Sequence, residues 1–368
     1  MKTIRRLIYG EILTSVAFVA IGFLALFMFF DFVEEIQSLG KHAATGYRLM
    51  HAMAFVALML PSHLYELLPI AVLIGTIFVM ARLAKSSEFT ILRTSGLGPW
   101  RALRTLMVLG LGFVVLTFAV GDYLSPVADR TGQLLKARFQ GNISIGQTGA
   151  WLRERQADAQ YAVNVGGLQS DGSLRNVRIF EFDKQGFLSS LTQAATAQVG
   201  ADNAWTLNEV SRTAFPARQA DTARIERTNE PTVRWPNNIS REMVSAALLK
   251  PERMSTIDLF QYIQHLEANA QSAQRYEIEF WKKVFYPLSC LVMVVLALPF
   301  AYLHFRTGGI ATYVFGGVMA GISFFLLNNV FGYIGNLQNW QPWLTAALPG
   351  MIYSVLSLTA FGWLVLRR

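Results

Sequence analysis

Long apolar blocks occupy both ends of this 368-residue chain, and a more polar stretch from about residue 124 to residue 280 separates them. A helix needs about 20 mainly apolar residues to cross the hydrocarbon core of a membrane. Six blocks meet or approach this length, and they are Ile12–Phe30, Leu67–Leu83, Leu103–Val120, Val284–Leu303, Ile310–Ile334 and Leu344–Val365. The pattern predicts six transmembrane helices, three on each side of the middle stretch.

One further apolar run, Ala52–Leu60, is too short to cross a membrane. Pro61 and two polar residues, Ser62 and His63, follow it directly. We expect this run to lie at the membrane interface.

The middle stretch contains segments in which apolar and polar residues alternate, as they do in half-buried β-strands. Turn-forming residues separate these segments, notably Gly166–Gly167, Asp171–Gly172 and Gly200–Asn203. The predicted strands are Tyr161–Val165, Val177–Phe182, Ala195–Val199, Trp205–Val210 and Thr222–Arg227. Short strands at this spacing are typical of an antiparallel sandwich or roll.

The sequence thus predicts a mixed membrane protein in which six transmembrane α-helices, arranged 3+3, flank an inserted antiparallel β-domain. Residues 1–123 form the first transmembrane half, residues 124–280 the β-domain and residues 281–368 the second half. Ser255 and Asp258 are typical of a helix start. A connecting helix over about residues 256–276 is therefore expected to lead into the fourth transmembrane helix.

The distribution of basic residues predicts the orientation in the membrane. Lys and Arg cluster before the first apolar block, between the second and third, and at the end of the chain. By the positive-inside rule both termini are cytoplasmic and the β-domain is on the opposite side. Residues 124–280 contain 17 basic and 17 acidic residues, so the net charge of +8 comes from the membrane-flanking parts. We interpret the positive charge as a sign of topology rather than of nucleic-acid binding.

Sequence motifs for catalysis or cofactor binding are absent. The chain has no G-x-x-x-x-G-K-[ST] phosphate loop, no H-E-x-x-H and no G-x-S-x-G sequence, and its five His residues lack metal-ligand spacing. A catalytic triad is a spatial arrangement and stays open at this point. Of the residues, 53% are hydrophobic and only 15% are charged, which favours a transporter, a channel or a membrane scaffold.

The loop between the second and third apolar blocks, Ala84–Gly96, predicts a short amphipathic helix. Ser86 or Ser87 can cap its start, Glu88 falls in the first turn where it complements the helix dipole, and Gly96 ends it. Two interpretations remain open for this segment, a plain interfacial helix and a docking helix for a soluble motor.

Motifs of one family extend over nearly the whole chain. They are L-I-Y-G-E-I-L near the start, L-L-P-I-A-V-L-I-G in the second apolar block, K-S-S-E-F-T-I-L-R-T-S-G in the loop, E-F-W-K-K-V-F-Y-P-L-S before the fourth block, G-I-S-F-F-L-L-N-N-V-F-G in the fifth, and the final A-L-P-G. Together they resemble the YjgP/YjgQ permeases, the paired transmembrane subunits of the lipopolysaccharide exporter. The loop motif is similar to this family's coupling helix.

This resemblance implies a permease subunit of an ABC transporter in the bacterial inner membrane, with a periplasmic β-jellyroll. The expected partners are the sister permease LptF, a dimer of the ATPase LptB, LptC, and lipopolysaccharide, which is extracted from the membrane and passed to a periplasmic bridge. The chain itself would be no enzyme and hold no cofactor or metal. ATP and Mg would bind to the partner ATPase, which agrees with the missing phosphate loop.

The resemblance also implies roles for individual residues. Glu88 would contact the ATPase, with Phe89, Leu92 and Arg93 as neighbours in that interface. Phosphate groups of the substrate would meet Lys41, Arg130, Lys136 and Arg138, for which a solvated surface charge is the alternative. The acyl chains would meet Phe27, Phe30, Leu68, Phe324 and Phe325, for which lipid contact or packing is the alternative. A gate or dimer interface would include Asn328, Asn329 and Gly321.

The chain departs from the family pattern at the end of the first helix. It has three acidic residues there, Asp31, Glu34 and Glu35, where some relatives carry basic residues near the gate. Acidic side chains repel lipid phosphates unless divalent cations bridge them. We therefore expect the headgroup contacts to be arranged differently in this protein.

Three other classes of protein compete with this interpretation. Permeases of the lipoprotein-release or mechanotransmission type also couple a periplasmic domain to an ATPase, but they usually carry the insert after the first of four helices. A membrane scaffold would anchor the β-domain without transport. An intramembrane enzyme would need paired polar residues at matching depth, and the sequence offers only the two adjacent asparagines, Asn328 and Asn329.

Overall fold

A computed structural model provides the structure of the chain. It describes residues 2–42, 46–96, 98–140, 149–156, 159–169, 171–200, 204–216, 224–240, 243–244, 251–302 and 310–363.

Helices account for both ends of the chain. The first group comprises α1 (Lys2–His42), α2 (Leu49–Lys85), α3 (Glu88–Thr94), α4 (Pro99–Ala119) and α5 (Ser125–Gln140), with a π-helical turn at Val120–Leu124 that joins α4 to α5. The second group comprises α6 (Thr256–Ala268), α7 (Gln274–Phe285), α8 (Ser289–Ala297), α9 (Ile310–Leu337) and α10 (Pro342–Phe361). Short 3₁₀ turns at Tyr286–Leu288 and Leu298–Tyr302 precede and follow α8.

Within the described residues, six helical segments are long and apolar enough to cross a membrane, as predicted. They are Arg5–Gln37, Leu49–Lys85, Pro99–Lys136, Gln274–Tyr302, Ile310–Leu337 and Pro342–Phe361, with mean hydropathies from 1.5 to 2.5. The fold class is confirmed, because three of these segments precede the sheet described below and three follow it.

The predicted interfacial run Ala52–Leu60 is instead part of α2, which continues through Pro61 without a break. Neighbouring helices supply partners for the polar residues that suggested an end: Ser62 Oγ lies 2.6 Å from Ser125 Oγ, and His63 Nε2 lies 2.7 Å from Asp31 Oδ2. Proline and polar residues are tolerated inside a membrane helix when adjacent helices satisfy the polar groups in this way.

The part of the middle stretch that the structure describes forms one antiparallel sheet of six strands. They are β1 (Ala150–Arg155), β2 (Gln160–Leu168), β3 (Leu174–Phe182), β4 (Leu188–Val199), β5 (Trp205–Ala214) and β6 (Glu226–Trp235). The spatial order of the strands is their order in the chain. Within the described residues this is a meander, whereas the jellyroll implied by the resemblance needs crossing connections between strands.

Strand positions were predicted less well than strand existence. Strand β1 was missed. Of the strand expected at Thr222–Arg227, residues 222–223 lie outside the described residues, and β6 begins at Glu226. The Gly166–Gly167 pair, predicted as a turn, lies inside β2. Strand β3 approaches β2 closely at Gly166. A Cβ atom on Gly166 would lie 2.9 Å from Cβ of Asn176, so glycine is needed at this point of the sheet.

The described residues form two compact units. The first contains Met1–Val33, Met59–Ala128 and Glu277–Arg368, and its core is a cluster of apolar side chains from the membrane helices. The second contains Glu34–Leu58 and Asp129–Tyr276, which includes the sheet. Trp205, the first residue of β5, is fully buried, and its Nε1 donates a hydrogen bond to the Ile239 carbonyl at 3.0 Å.

The predicted connecting helix over about residues 256–276 is divided into two. A capping box between Ser255 and Asp258 starts α6, as the sequence indicated. The helix ends at Ala268, and Ala270 then adopts a left-handed φ of 52° before α7 begins at Gln274. The side chain of Asn269 fixes this end, because its Oδ1 accepts a hydrogen bond from the Arg155 amide at 3.0 Å.

Candidate functional site

Helix α3 occupies the loop that the sequence marked as a coupling helix. Ser87 precedes it with a left-handed φ of 59° and makes no capping hydrogen bond through its side chain. Ser87 thus occupies the predicted N-cap position, but a side-chain cap does not form there. Ser86 Oγ donates instead to the Arg82 carbonyl at 3.1 Å, in the last turn of α2. Gly96, with a φ of 98°, ends the segment in the way that its sequence position predicted.

The two faces of α3 differ in exposure. Phe89 is buried at 3% relative exposure and meets the ring of Tyr302 edge-on, with the ring centroids 5.1 Å apart. Leu92 packs partly against the same core. Glu88 is exposed, and so is Ile91 at 63%. Phe89 therefore anchors the helix to its own chain, and the surface left for a soluble partner includes Glu88 and Ile91.

Arg93 lies between these two faces. Its side chain is exposed, and its guanidinium carbon lies 5.4 Å from the centroid of the Tyr302 ring. A cation over an aromatic face is attracted by the ring quadrupole. The Tyr302 ring therefore contacts both Phe89 and Arg93 and fixes the rotation of α3 about its axis.

Lys136, the predicted phosphate contact on α5, is paired with a carboxylate. Its Nζ lies 2.8 Å from Glu35 Oε2 on α1, and Tyr47 donates a hydrogen bond to the other carboxylate oxygen at 2.9 Å. The Glu35 side chain is only 5% exposed. Burial, followed by the hydrogen bond to Glu35 and its charge, raises the pKa of Tyr47 above the usual value. The phenol thus remains protonated and keeps donating.

Aromatic rings surround this ion pair. The Lys136 ammonium lies 4.5 Å from the centroid of the Phe55 ring. Tyr47 packs against Phe139, which in turn packs against His51 with the centroids 4.3 Å apart. The end of α1, the start of α2 and the end of α5 are thereby held together within the second unit.

The remaining predicted phosphate contacts are not brought to this pair by any described contact. Arg130 is on α5 with an exposed side chain. The side chains of Lys41 and Arg138 lie outside the described residues. Their proposed roles stay predictions.

Of the acidic residues at the end of α1, Asp31 and Glu35 are both paired. His63 Nε2 lies 2.7 Å from Asp31 Oδ2, with the two side chains 16% and 18% exposed. The ring of Phe27 lies 5.0 Å from the His63 ring. Glu34, between the two paired acids in sequence, is exposed.

The residues predicted to meet acyl chains fall into three environments. Phe27 and Phe325 pack on one cluster formed by Leu67, Ile70 and Ile74 of α2. Phe30 is 59% exposed. Leu68 and Phe324, at 3% and 1% exposure, lie in the core of the first unit. The structure thus brings together Phe27 and Phe325 but gives Leu68 and Phe324 packing positions.

The predicted gate residues on α9 also differ from one another. A Cβ atom on Gly321 would lie 2.7 Å from Cγ2 of Ile70, so the close approach that needs a glycine occurs inside this chain. Asn328 is half-buried and donates to the Phe324 carbonyl one turn earlier in its own helix at 3.1 Å. Asn329 is exposed.

Sequence reasoning missed a buried lysine at the π-helical turn. Lys283 of α7 is 7% exposed, and its Nζ donates to the Gly121 carbonyl at 2.8 Å. Its ammonium also lies 5.6 Å from the Tyr65 ring centroid. A π-helical turn leaves carbonyls without their usual helical partners and often marks functional positions. The only signal in the sequence was the pair Lys282–Lys283 immediately before an apolar block, and such a pair is typical of the charged residues that flank a membrane helix.

Metal chemistry finds no support in the part of the chain that the structure describes. Within it, no group of three or more His, Cys, Asp or Glu side chains is arranged to hold a metal ion. The single cysteine, Cys290, is fully buried, and its Sγ lies 3.3 Å from Thr117 Oγ1.

Comparison with known proteins shows which family the chain resembles over its length. The family model "Lipopolysaccharide export system permease LptF/LptG" matches residues 6–366. This chain belongs to the LptF/LptG family. It is 26% identical to the lipopolysaccharide export system permease protein LptG of Haemophilus influenzae over 371 residues, covering 100% of this chain and 99% of that protein. It is 25% identical to the LptG protein of Escherichia coli K12 over 366 residues, covering 99% and 98%.

Membership of the LptF/LptG family confirms the resemblance seen in the sequence motifs. The matched region includes both groups of membrane helices and the sheet between them. The chain is therefore a multi-pass membrane permease subunit of the lipopolysaccharide export type.

Proposed function

We propose that this chain is the transmembrane subunit that extracts lipopolysaccharide from the inner membrane and passes it to a periplasmic bridge. A separate cytoplasmic ATPase drives the movement. The observation that carries this proposal is the family match over residues 6–366, which spans all six membrane segments and the sheet. The curated relatives that match over their full lengths bear the same functional name.

The proposed orientation places both termini and α3 in the cytoplasm and the sheet in the periplasm. The distribution of Lys and Arg supports it, since Arg82, Lys85 and Arg93 flank α3. In this orientation the Lys136–Glu35 pair is near the periplasmic surface, because both residues are at the ends of membrane segments that lead towards the sheet.

The proposed assembly contains the sister permease LptF, a dimer of the ATPase LptB, and LptC. ATP and Mg bind to the ATPase in this proposal, since this chain has no phosphate-binding loop. Helix α3 is the docking element for the ATPase. Exposed Glu88 and Ile91 supply a charged and an apolar contact, while buried Phe89 transmits the movement of α3 to the membrane helices.

Lipopolysaccharide carries phosphate groups and several acyl chains, and the proposed contacts match both. We propose that Lys136 meets a phosphate group, and that Lys41, Arg130 and Arg138 supply further phosphate contacts. Phe27, Phe30 and Phe325 offer apolar surface on α1 and α9, and Leu68 and Phe324 support it from the core. Asn329 and the exposed face of α9 are proposed to face the sister permease or the gate.

Native mass spectrometry of the tagged chain, extracted gently from its own membranes, tests the proposal. We expect a complex with one sister permease, two ATPase copies and a bound lipopolysaccharide. The Glu88→Lys variant is expected to lose the ATPase and keep the sister permease, because its changed side chain is on the exposed docking face. A chain that remains alone under conditions that preserve other membrane complexes would favour a scaffold instead.

A further inference from the structure

Lys136, proposed above to meet a lipid phosphate, already has an anionic partner in this chain. Glu35 Oε2 lies 2.8 Å from Lys136 Nζ, a distance typical of a charge-assisted hydrogen bond. The lysine side chain is 29% exposed, so it can be reached from solvent, while the carboxylate beneath it is 5% exposed. An incoming anion can approach Lys136 but meets a lysine whose charge is compensated.

The carboxylate is held independently of the lysine. Tyr47, itself only 4% exposed, donates to Glu35 Oε1 at 2.9 Å. If Lys136 turned towards another anion, the Glu35 carboxylate would still accept the hydrogen bond from Tyr47. The cost of separating the pair is therefore lower than the cost of leaving a buried carboxylate with no partner.

The lysine is also positioned independently of the carboxylate. Its ammonium lies 4.5 Å from the Phe55 ring centroid. Phe55 is fitted against α5 at Gly132, where an added Cβ atom would lie 3.4 Å from the Phe55 ring. Lys136 therefore has an aromatic support that stays in place when its anionic partner changes.

We propose that Glu35 is the counter-anion of Lys136 and competes with the phosphate of the lipid substrate for binding to Lys136. By this competition Glu35 lowers the affinity of the chain for phosphorylated lipid and promotes release of the lipid. This inference rests on the proposed function, since it assumes that the chain binds a phosphorylated lipid. It makes Glu35 a specificity-determining residue that acts through Lys136. An exporter must bind its lipid substrate and then release it, and a carboxylate that competes for the same lysine favours release.

The test compares variants of the full chain in its complex with the sister permease and ATPase, reconstituted in nanodiscs. Binding of purified lipopolysaccharide is measured without nucleotide, beside the same lipid treated with a phosphatase. Glu35→Gln removes the competing charge and keeps the shape, and Glu34→Gln is the matched control, because Glu34 is exposed and next in sequence. Glu35→Asp keeps the charge but withdraws the carboxylate by about 1.5 Å, one carbon–carbon bond.

We expect Glu35→Gln to tighten binding of the phosphorylated lipid by about tenfold, the effect of one lost charge-assisted hydrogen bond to a competitor. Glu35→Asp should tighten it by a smaller factor, and Glu34→Gln should leave it within about twofold, as expected for a solvated charge. Binding of the dephosphorylated lipid should change in none of them. Adding Lys136→Gln to Glu35→Gln should abolish the gain.

Two results overturn the inference and one overturns its foundation. If the wild-type complex binds lipopolysaccharide but Glu35→Gln binds it no more tightly than Glu34→Gln does, Glu35 is no competitor. An equal gain for the dephosphorylated lipid would also contradict it, since the competition is for phosphate. If the wild-type complex binds no lipopolysaccharide, the proposed function itself fails. Should Glu35→Gln fail to fold, Glu35→Asp decides the outcome alone.

Discussion

Replacing Phe89 by Ala should release α3 from the membrane helices without touching its exposed face. Phe89 is 3% exposed, and burying a phenylalanine side chain contributes about 1.5–3 kcal/mol. Its edge-on contact with Tyr302 adds about 0.5–1.5 kcal/mol. We expect the local free energy of opening to fall by about 3 kcal/mol, at the lower end of the range for buried Phe→Ala changes.

This loss is large for a helix of seven residues. Helices this short are not stable by themselves in water, so α3 depends on its tertiary contacts. Hydrogen–deuterium exchange of residues 88–94 in the full chain measures the effect, and about 3 kcal/mol corresponds to exchange faster by about a hundredfold. Ile91→Ala is the matched control, because Ile91 is 63% exposed and alanine favours helix more than isoleucine does.

The two variants separate anchoring from docking. Phe89→Ala should raise exchange in α3 and reduce co-purification of the ATPase, whereas Ile91→Ala should reduce co-purification and leave exchange within about twofold. If Phe89→Ala reduced ATPase binding while exchange in α3 stayed unchanged, Phe89 would contact the ATPase directly. The anchoring role assigned to it here would then be refuted.

Three further predictions concern stability. Gly321→Leu should lower the melting temperature of the full chain in detergent, because its Cβ atom would lie 2.7 Å from Ile70 Cγ2 and overpacking costs about 1–3 kcal/mol. Gly316→Leu is the control and should leave the melting temperature unchanged, because a Cβ atom at Gly316 has no neighbour within 4 Å. Equal melting temperatures for the two variants would contradict the close packing at Gly321. Trp205→Phe removes the buried hydrogen bond to the Ile239 carbonyl. Protection of the β5 amides from hydrogen exchange should therefore fall by about thirtyfold, which corresponds to about 2 kcal/mol. Unchanged protection would contradict a stabilising role of that bond. Burial lowers the pKa of His265 below 6.5, so the unfolded state binds the proton more readily and the protection factors of α6 should fall as the pH drops below that value. His265→Gln should abolish this pH dependence, and its persistence would assign it to another group.

The membrane helices could be predicted because crossing the hydrocarbon core demands a long apolar run, which is visible in the sequence itself. The continuation of α2 through Pro61 could not, since it depends on partners from other helices, Asp31 for His63 and Ser125 for Ser62. Strand boundaries failed for a similar reason. At Gly166 the close approach of a neighbouring strand, rather than a turn, explains the glycine.

The candidate site was predicted residue by residue but not as an arrangement. The pairing of Lys136 with Glu35 joins positions 101 residues apart, and no local pattern encodes it. The acidic departure at the end of α1 did indicate that the headgroup contacts would be unusual. On α3, the resemblance placed Phe89 in the expected ATPase interface, and only its packing against Tyr302 shows that it anchors the helix to its own chain.

Transfer of lipopolysaccharide in a reconstituted system is the decisive test of the export function proposed for this chain. Proteoliposomes containing this chain, its sister permease and the ATPase are supplied with lipopolysaccharide and with a soluble periplasmic acceptor, and lipid reaching the acceptor is measured with and without ATP. We predict ATP-dependent transfer that Glu88→Lys abolishes. Absence of transfer from a complex that is intact and hydrolyses ATP, or equal transfer when this chain is omitted, would contradict the account.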